Sequence, residues 1–141
     1  MPGDPSPEQR CRTEIEALHV FFETWLNGTR PNTDAAFERL QHALAPDFAL
    51  VHPEGHVMTR ANIAKGLREG HGGQPGLTID IRNVRVLDVG ATRITAMYEE
   101  WQESAETRDG RVSTVVFRDD PDAPNGLRWQ HVHETWIERG S

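Results

Sequence analysis

Apolar residues recur at helical spacing through Ile15, Leu18, Phe22, Trp25 and Leu26, a single stripe that predicts a long amphipathic helix. Ser6-Pro7-Glu8-Gln9 marks its start with an N-cap serine, a proline at the first helical position and a glutamine at the third. Asn27-Gly28 marks its end. Asn32 to Asp34 offers caps for a second helix, which Ala36, Phe37, Leu40 and Leu44 carry up to Pro46. The period then changes. Phe48 to Val51 reads as a short strand, His52-Pro53-Glu54-Gly55 as a turn, and His56-Val57-Met58 as the returning arm of a small hairpin. Thr59 caps a third, short helix that bears Ile63 and Leu67 and closes at Gly70, and residues 71–76 form a glycine-rich loop.

Beyond that loop the pattern is all strand. Leu77, Ile79 and Ile81 alternate with Thr78, Asp80 and Arg82, and residues 92–103, 111–118 and 127–138 are β-rich runs. Asp109-Gly110 fits the turn of the first hairpin, and the acidic stretch 119–126 fits a longer exposed loop. Three helices followed by one antiparallel sheet predict an α+β domain over residues 7–138, with unstructured tails at 1–6 and 139–141. A strongly curved sheet with a long helix across its mouth encloses a pocket rather than a second packed layer.

Composition narrows the partners. With 15 basic and 22 acidic residues the net charge is −7, and the basic residues are scattered, which argues against nucleic acid or an anionic membrane surface. No run approaches the roughly 20 apolar residues of a membrane span. The polar N-terminus lacks the regions of a signal peptide, so a cytoplasmic protein is expected. Cys11 is the single cysteine, which excludes an internal disulfide; it reads as a small helix residue rather than a nucleophile.

Two segments carry a family resemblance: Leu44-Ala45-Pro46-Asp47-Phe48-Ala49-Leu50-Val51-His52-Pro53-Glu54-Gly55 and Trp129-Gln130-His131-Val132-His133. With the element order, they make residues 10–138 resemble the nuclear transport factor 2-like superfamily. The SnoaL-like and ketosteroid-isomerase-like members, and the association domain of calmodulin-dependent kinase II, are the nearest in look. The resemblance implies a cone-shaped fold around a pocket for a small apolar organic ligand, with no cofactor. It does not imply steroid isomerase activity. His52 stands where the isomerases have a general-base aspartate, Phe22 where they have a tyrosine, and Ser113 or Thr114 where they have a second acid. The positions matching the kinase domain's three pocket arginines are Glu99, Val115 and Trp136, so an anion held by an arginine cluster is not expected.

The candidate proton-transfer residues are therefore His52, Glu99 and Glu134. His52 titrates near neutrality and occupies a family position that faces the cavity. The register implied by the resemblance turns Glu99 inward, with Glu100 its rival, since Met97, Glu99 and Trp101 share one face while Tyr98, Glu100 and Gln102 share the other. On the last strand that register turns Glu134 and Trp136 inward and leaves His131 and His133 outside; a bulge would reverse it. His131-Val132-His133 has the spacing of a two-imidazole metal site, with His52 or His56 as a third ligand, yet no metal is expected. His19 and His42 read as partly exposed helix residues, and His71 lies in a loop expected to be mobile. Phe22, Trp25, Phe48, Met97, Trp101, Val115 and Trp136 are the expected substrate-contacting residues. Catalysis, if present, would be cofactor-independent isomerisation, dehydration or cyclisation; the other possibility is a non-catalytic association module with a vestigial cavity. Both imply a homodimer through the convex sheet face.

Overall fold

The expected Ser6 capping box forms, with Gln9 N–H donating to Ser6 Oγ at 3.1 Å and Ser6 N–H to Gln9 Oε1 at 2.9 Å. The computed structural model describes residues 3–140, so part of the expected tails, at residues 1, 2 and 141, lies outside the described residues. The elements in order are α1 (Pro7–Leu26), α2 (Asp34–Ala43), β1 (Leu44–Val51), β2 (Val57–Thr59), α3 (Arg60–Glu69), β3 (Thr78–Val89), β4 (Arg93–Glu103), β5 (Arg108–Asp119) and β6 (Leu127–Glu138). A 3₁₀ turn, Pro124–Gly126, precedes β6. One sheet runs in the order β2-β1-β6-β5-β4-β3. It is mixed rather than wholly antiparallel, because β1 lies parallel to β6.

Two expected boundaries shift. The second helix stops at Ala43, and Leu44-Ala45-Pro46 already belongs to the strand, so Leu44 is buried as a strand residue. A proline is tolerated there because the β1–β6 ladder is interrupted between Leu44 and Ala49. Asp109-Gly110 is not the hairpin turn either. The β4–β5 turn lies at 104–107, where Ser104 N–H donates to Thr107 O at 2.9 Å. Gly110 is needed for packing instead, since a Cβ there would lie 2.4 Å from the Trp101 ring.

Register breaks bend the sheet. β3 and β4 slip between Arg82 and Arg85, with Asn83 at φ 55°, and β5 and β6 slip at Gly110/Arg111 and Val116/Phe117. Each break adds local twist, so the sheet coils around α1. Between sheet and helix lies the core, including Ile15, Leu18, Phe21, Trp25, Ile94, Ala96, Val115, Phe117 and Trp129. The glycine-rich segment is fastened rather than mobile. Gly72 and Gln74 N–H donate to the α1 carbonyls of Trp25 (3.0 Å) and Leu26 (2.9 Å), and His71 Nε2 donates to Arg30 O at 2.6 Å.

Glu14 locks α1 in place. Its carboxylate is fully buried and accepts from Trp129 Nε1 of β6 (2.9 Å), Asn125 Nδ2 of the 3₁₀ turn (2.9 Å) and Arg39 Nη2 of α2 (2.8 Å). Three donors from three elements compensate the loss of water around this charge. Replacing Glu14 with Ala orphans the buried Trp129 donor and the half-buried Arg39 donor. The expected loss is about 2–4 kcal/mol of unfolding free energy, read by urea denaturation; a loss under about 1 kcal/mol would contradict this role.

Candidate functional site

A cavity of about 340 Å³ opens between the inner face of the sheet, α1 and α3. Its walls are apolar, formed by Leu18, Phe22 and Leu26 of α1, Phe48 and Leu50 of β1, Ile63 and Leu67 of α3 and Val132 of β6. One end is polar, where His19, His52, Tyr98, Glu100, Arg111 and Glu134 converge. One helix, three strands and the turn after β1 thus contribute one ionisable group or two each.

The polar end is a chain of opposed charges. His19 Nδ1 lies 2.7 Å from Ile15 O and Nε2 lies 3.2 Å from Glu100 Oε1. Both ring nitrogens face acceptors, so the ring donates from both and is an imidazolium. Burial disfavours that cation, but the charge and hydrogen bond of Glu100 outweigh burial and raise its pKa. Burial likewise pushes Glu100 up, yet the His19 charge and hydrogen bond, with Arg111 and Gln102, bring it to about 2. Glu134 responds the other way. Burial and the neighbouring Glu100 charge lift it to about 7, against the lowering effect of Arg111.

Bonding separates the buried carboxylates further. Glu14 has three donors within 2.9 Å, and Glu100 accepts from Gln102 Nε2 at 2.6 Å. Among the described residues Glu134 has just Arg111 Nη1 and Ser113 Oγ, both at 3.4 Å. Tyr98 stands beside it, its phenol kept protonated by burial and by the two glutamates. His52 sits at the rim. Its Nδ1 accepts Glu54 N–H at 3.0 Å, which puts the ring proton on Nε2. Burial and the His56 ring stacked 4.4 Å away lower its pKa.

Residues 11–138 match the family described as Sucrose-6-phosphate phosphohydrolase C-terminal. The chain belongs to that family. Sucrose-phosphatase 1 of Nicotiana tabacum is 29% identical over 128 residues, which are 89% of this chain and 30% of the tobacco protein. This chain therefore spans under a third of the curated relative's length. An NTF-2 like protein of unknown function from Pseudomonas aeruginosa is 34% identical with a TM-score of 0.83, over 91% of this chain and 98% of that one. The S. rosetta CaMKII hub shares the fold at 14% identity and a TM-score of 0.68, over 94% of this chain and 98% of that one. The nuclear transport factor 2-like, cystatin-like architecture implied by the resemblance is thus the one observed.

Within this family domain, His52, Glu134, Phe22 and Phe48 line the cavity. Glu99 does not. From Ile94 to Glu100 the β4–β5 ladder is regular, and Ile94, Ala96 and Tyr98 fix the inner face, so Glu100 points in and Glu99 out. Glu99 instead accepts from Trp101 Nε1 (3.0 Å) and Asn83 Nδ2 (2.8 Å), which lowers its pKa on the convex side. Met97 and Trp101 share that outer face, Trp101 lying under the Arg82 and Arg108 guanidinium groups. Trp25 and Val115 are fully buried in the core rather than in the cavity wall. Trp136 stands between the His52 ring (6.0 Å) and the Arg111 guanidinium (4.8 Å) without reaching the lining. On β6, an extra residue at Gln130 lets Trp129 face inward together with Val132 and Glu134, while His131 and His133 face outward.

His19, Tyr98 and Arg111 are the polar cavity residues that sequence reasoning missed. His19 is buried, 4% exposed, not partly exposed as expected from its place on a helix. Its spacing from Ile15 and Phe22 put it on the apolar stripe, and that was the available signal. Arg111 begins a β-rich run, and nothing local marks it as inward. Cys11 is buried and its thiol is pushed up to about 11 by desolvation, which makes it inert.

The Glu134 shift has a sign that can be measured. A carboxyl raised from its ordinary range to about 7 binds its proton more tightly in the fold, so its burial costs stability progressively as pH rises from about 4.5 through 7. Glu134→Gln removes that cost. At pH 8 the variant's Tm should exceed wild type by about 4 °C or more, the change that about 1 kcal/mol produces in a domain of this size, with no gain at pH 4.5. An equal Tm difference at both pH values would contradict the assignment.

Proposed function

We propose that this domain is a small-molecule pocket protein that holds a small, largely apolar organic compound by its polar end and transfers a proton to or from it. Glu134 is the proton carrier. Glu100 and His19 form the fixed ion pair beside it, Arg111 and Tyr98 face the oxygen on which charge develops, and His52 is the second titrating group at the rim. The observation that supports this reading is one pair of carboxylates in a single buried cluster, at about 2 and about 7, facing an apolar cavity. Environments that drive two acids apart in this way suit general acid–base chemistry near neutral pH. The implied reactions are isomerisation, dehydration or cyclisation without a cofactor.

The family favours a second reading, a binding module for a sugar or sugar phosphate like the substrate in the relatives' names. The mainly aliphatic and aromatic walls speak against it, because a polyol buried there would leave most of its hydroxyls without partners. Under either reading a homodimer follows from the exposed Leu87 and Val89 of β3 and Ile137 of β6, and light scattering should return about twice 15.9 kDa.

A thermal-shift panel of small apolar carbonyl, carboxyl and hydroxyl compounds, with sucrose and sucrose 6-phosphate, separates the readings. A compound at about 100 times its Kd adds roughly 2.7 kcal/mol and should raise the Tm of wild type, but not of Leu50→Trp, whose larger ring fills the cavity. Exchange of the bound compound's acidic C–H in D₂O should then slow by about 10²-fold or more in Glu134→Gln. A shift with sucrose 6-phosphate alone would hand the case to the second reading, and unchanged exchange would remove the proton-transfer role.

A further inference from the structure

The two groups at the polar end that face the cavity with incomplete bonding are Glu134 and Arg111, and they are neighbours. Arg111 is only 13% exposed, yet its bonds to Glu134 (3.4 Å) and Asp109 (3.3 Å) are both long. Among the described residues its buried Nε–H has no acceptor. A buried guanidinium normally gathers short, charge-assisted bonds, often two to one planar acceptor. Here it lacks them, while Glu14 and Glu100 are well supplied by their own donors.

The charges around Glu134 say what is missing. α1 brings His19, already committed to Glu100 and Ile15 O. The turn after β1 brings His52, neutral and at the rim. β4 brings Tyr98 and Glu100, and β5 brings Asp109, Arg111 and Ser113. α3 adds only Asn62, Ile63, Gly66 and Leu67 to the lining, with no charge. His19 and Glu100 cancel. When Glu134 carries a proton, Asp109 is, among the described residues, the one ionised carboxylate left within hydrogen-bond distance of Arg111, and it is itself 22% exposed, while Glu100 acts on Arg111 only through space.

We infer that the compound held in this cavity is a small organic acid with an apolar body, its carboxylate seated on Arg111 and sharing one proton with Glu134. This rests on the pocket reading above and names its ligand class. The carboxylate supplies the planar acceptor that Arg111 lacks, and the proton removes repulsion between two acids. Binding is thereby coupled to proton uptake. At the small end of the usual range for ligand pockets, about 300–1,000 Å³, the cavity suits a body of eight or so carbons.

Calorimetry with octanoate, methyl octanoate and octan-1-ol at pH 6 and pH 8.5 tests this. Octanoate should bind at least about tenfold tighter than either neutral compound at pH 6 and weaken by about tenfold or more at pH 8.5, since each pH unit above a linked pKa of about 7 costs up to a factor of ten. At pH 8.5, where the free Glu134 is ionised, titrations in buffers of different ionisation enthalpy should show uptake of about one proton per octanoate, and little at pH 6. Glu134→Gln, whose amide donates at any pH, should bind octanoate equally at both pH values, and Arg111→Met should lose the preference for octanoate, with circular dichroism confirming that both fold. Octan-1-ol or the ester binding as tightly as octanoate, or binding without pH dependence, would overturn the acid and leave the pocket reading standing. No binding by any of the three at either pH would overturn both.

Discussion

Glu14 places a charge where water cannot reach it, and three other elements must then converge on that charge. Trp129 on β6, Asn125 in the preceding turn and Arg39 on α2 each lend a donor, so α1 cannot slide or roll against the sheet without stranding at least one of them. The seating of α1 in turn fixes Leu18, His19 and Phe22 over the inner face. The cavity is what remains between a helix pinned at one end and a sheet bent away from it by its register breaks.

That arrangement explains how one helix carries two buried ionisable residues with opposite fates. Glu14 is saturated, and its bonds belong to the architecture. His19, five residues on, pairs with Glu100 and so brings a second, smaller electrostatic system to the cavity. Its cost is passed to Glu134, which bears both burial and the field of Glu100, with only long bonds in return. An acid that the fold supports poorly is an acid ready to exchange its proton.

Much of the fold could be read from local chemistry. The Ser6 capping box, the Thr59 cap and the stripe on α1 are contacts within a few residues, and each formed as its pattern implied. The inner face of β4 was harder, because Met97 and Trp101 are as apolar as Tyr98 and alternation alone does not choose between them. The packing of Ile94 and Ala96 against the core decides it, which puts Glu100 rather than Glu99 in the site. The extra residue at Gln130 leaves no mark in composition, since a bulge is set by what lies on the neighbouring strand. Arg111 and Glu134 were likewise beyond local reading as a pair: they lie 23 positions apart and meet only because β5 and β6 hold the register they do.

The cavity's two ends are anchored by different kinds of structure. The charged end is built largely on β4, β5 and β6, whose long mutual ladders, with the extra residue at Gln130, set which side chains face the cavity. Part of the opposite wall is Gln74, held by a loop fastened near the end of α1 by backbone bonds from Gly72 and Gln74 and by the His71 ring against Trp25, with Gly72 and Gly28 in close approach. A loop fixed in this way can change length and side chains while the sheet stays as it is. Natural variation in this domain thus has a place to alter the size of the ligand's body independently of the head group, so that a lineage can diversify what it accepts while keeping one means of holding it.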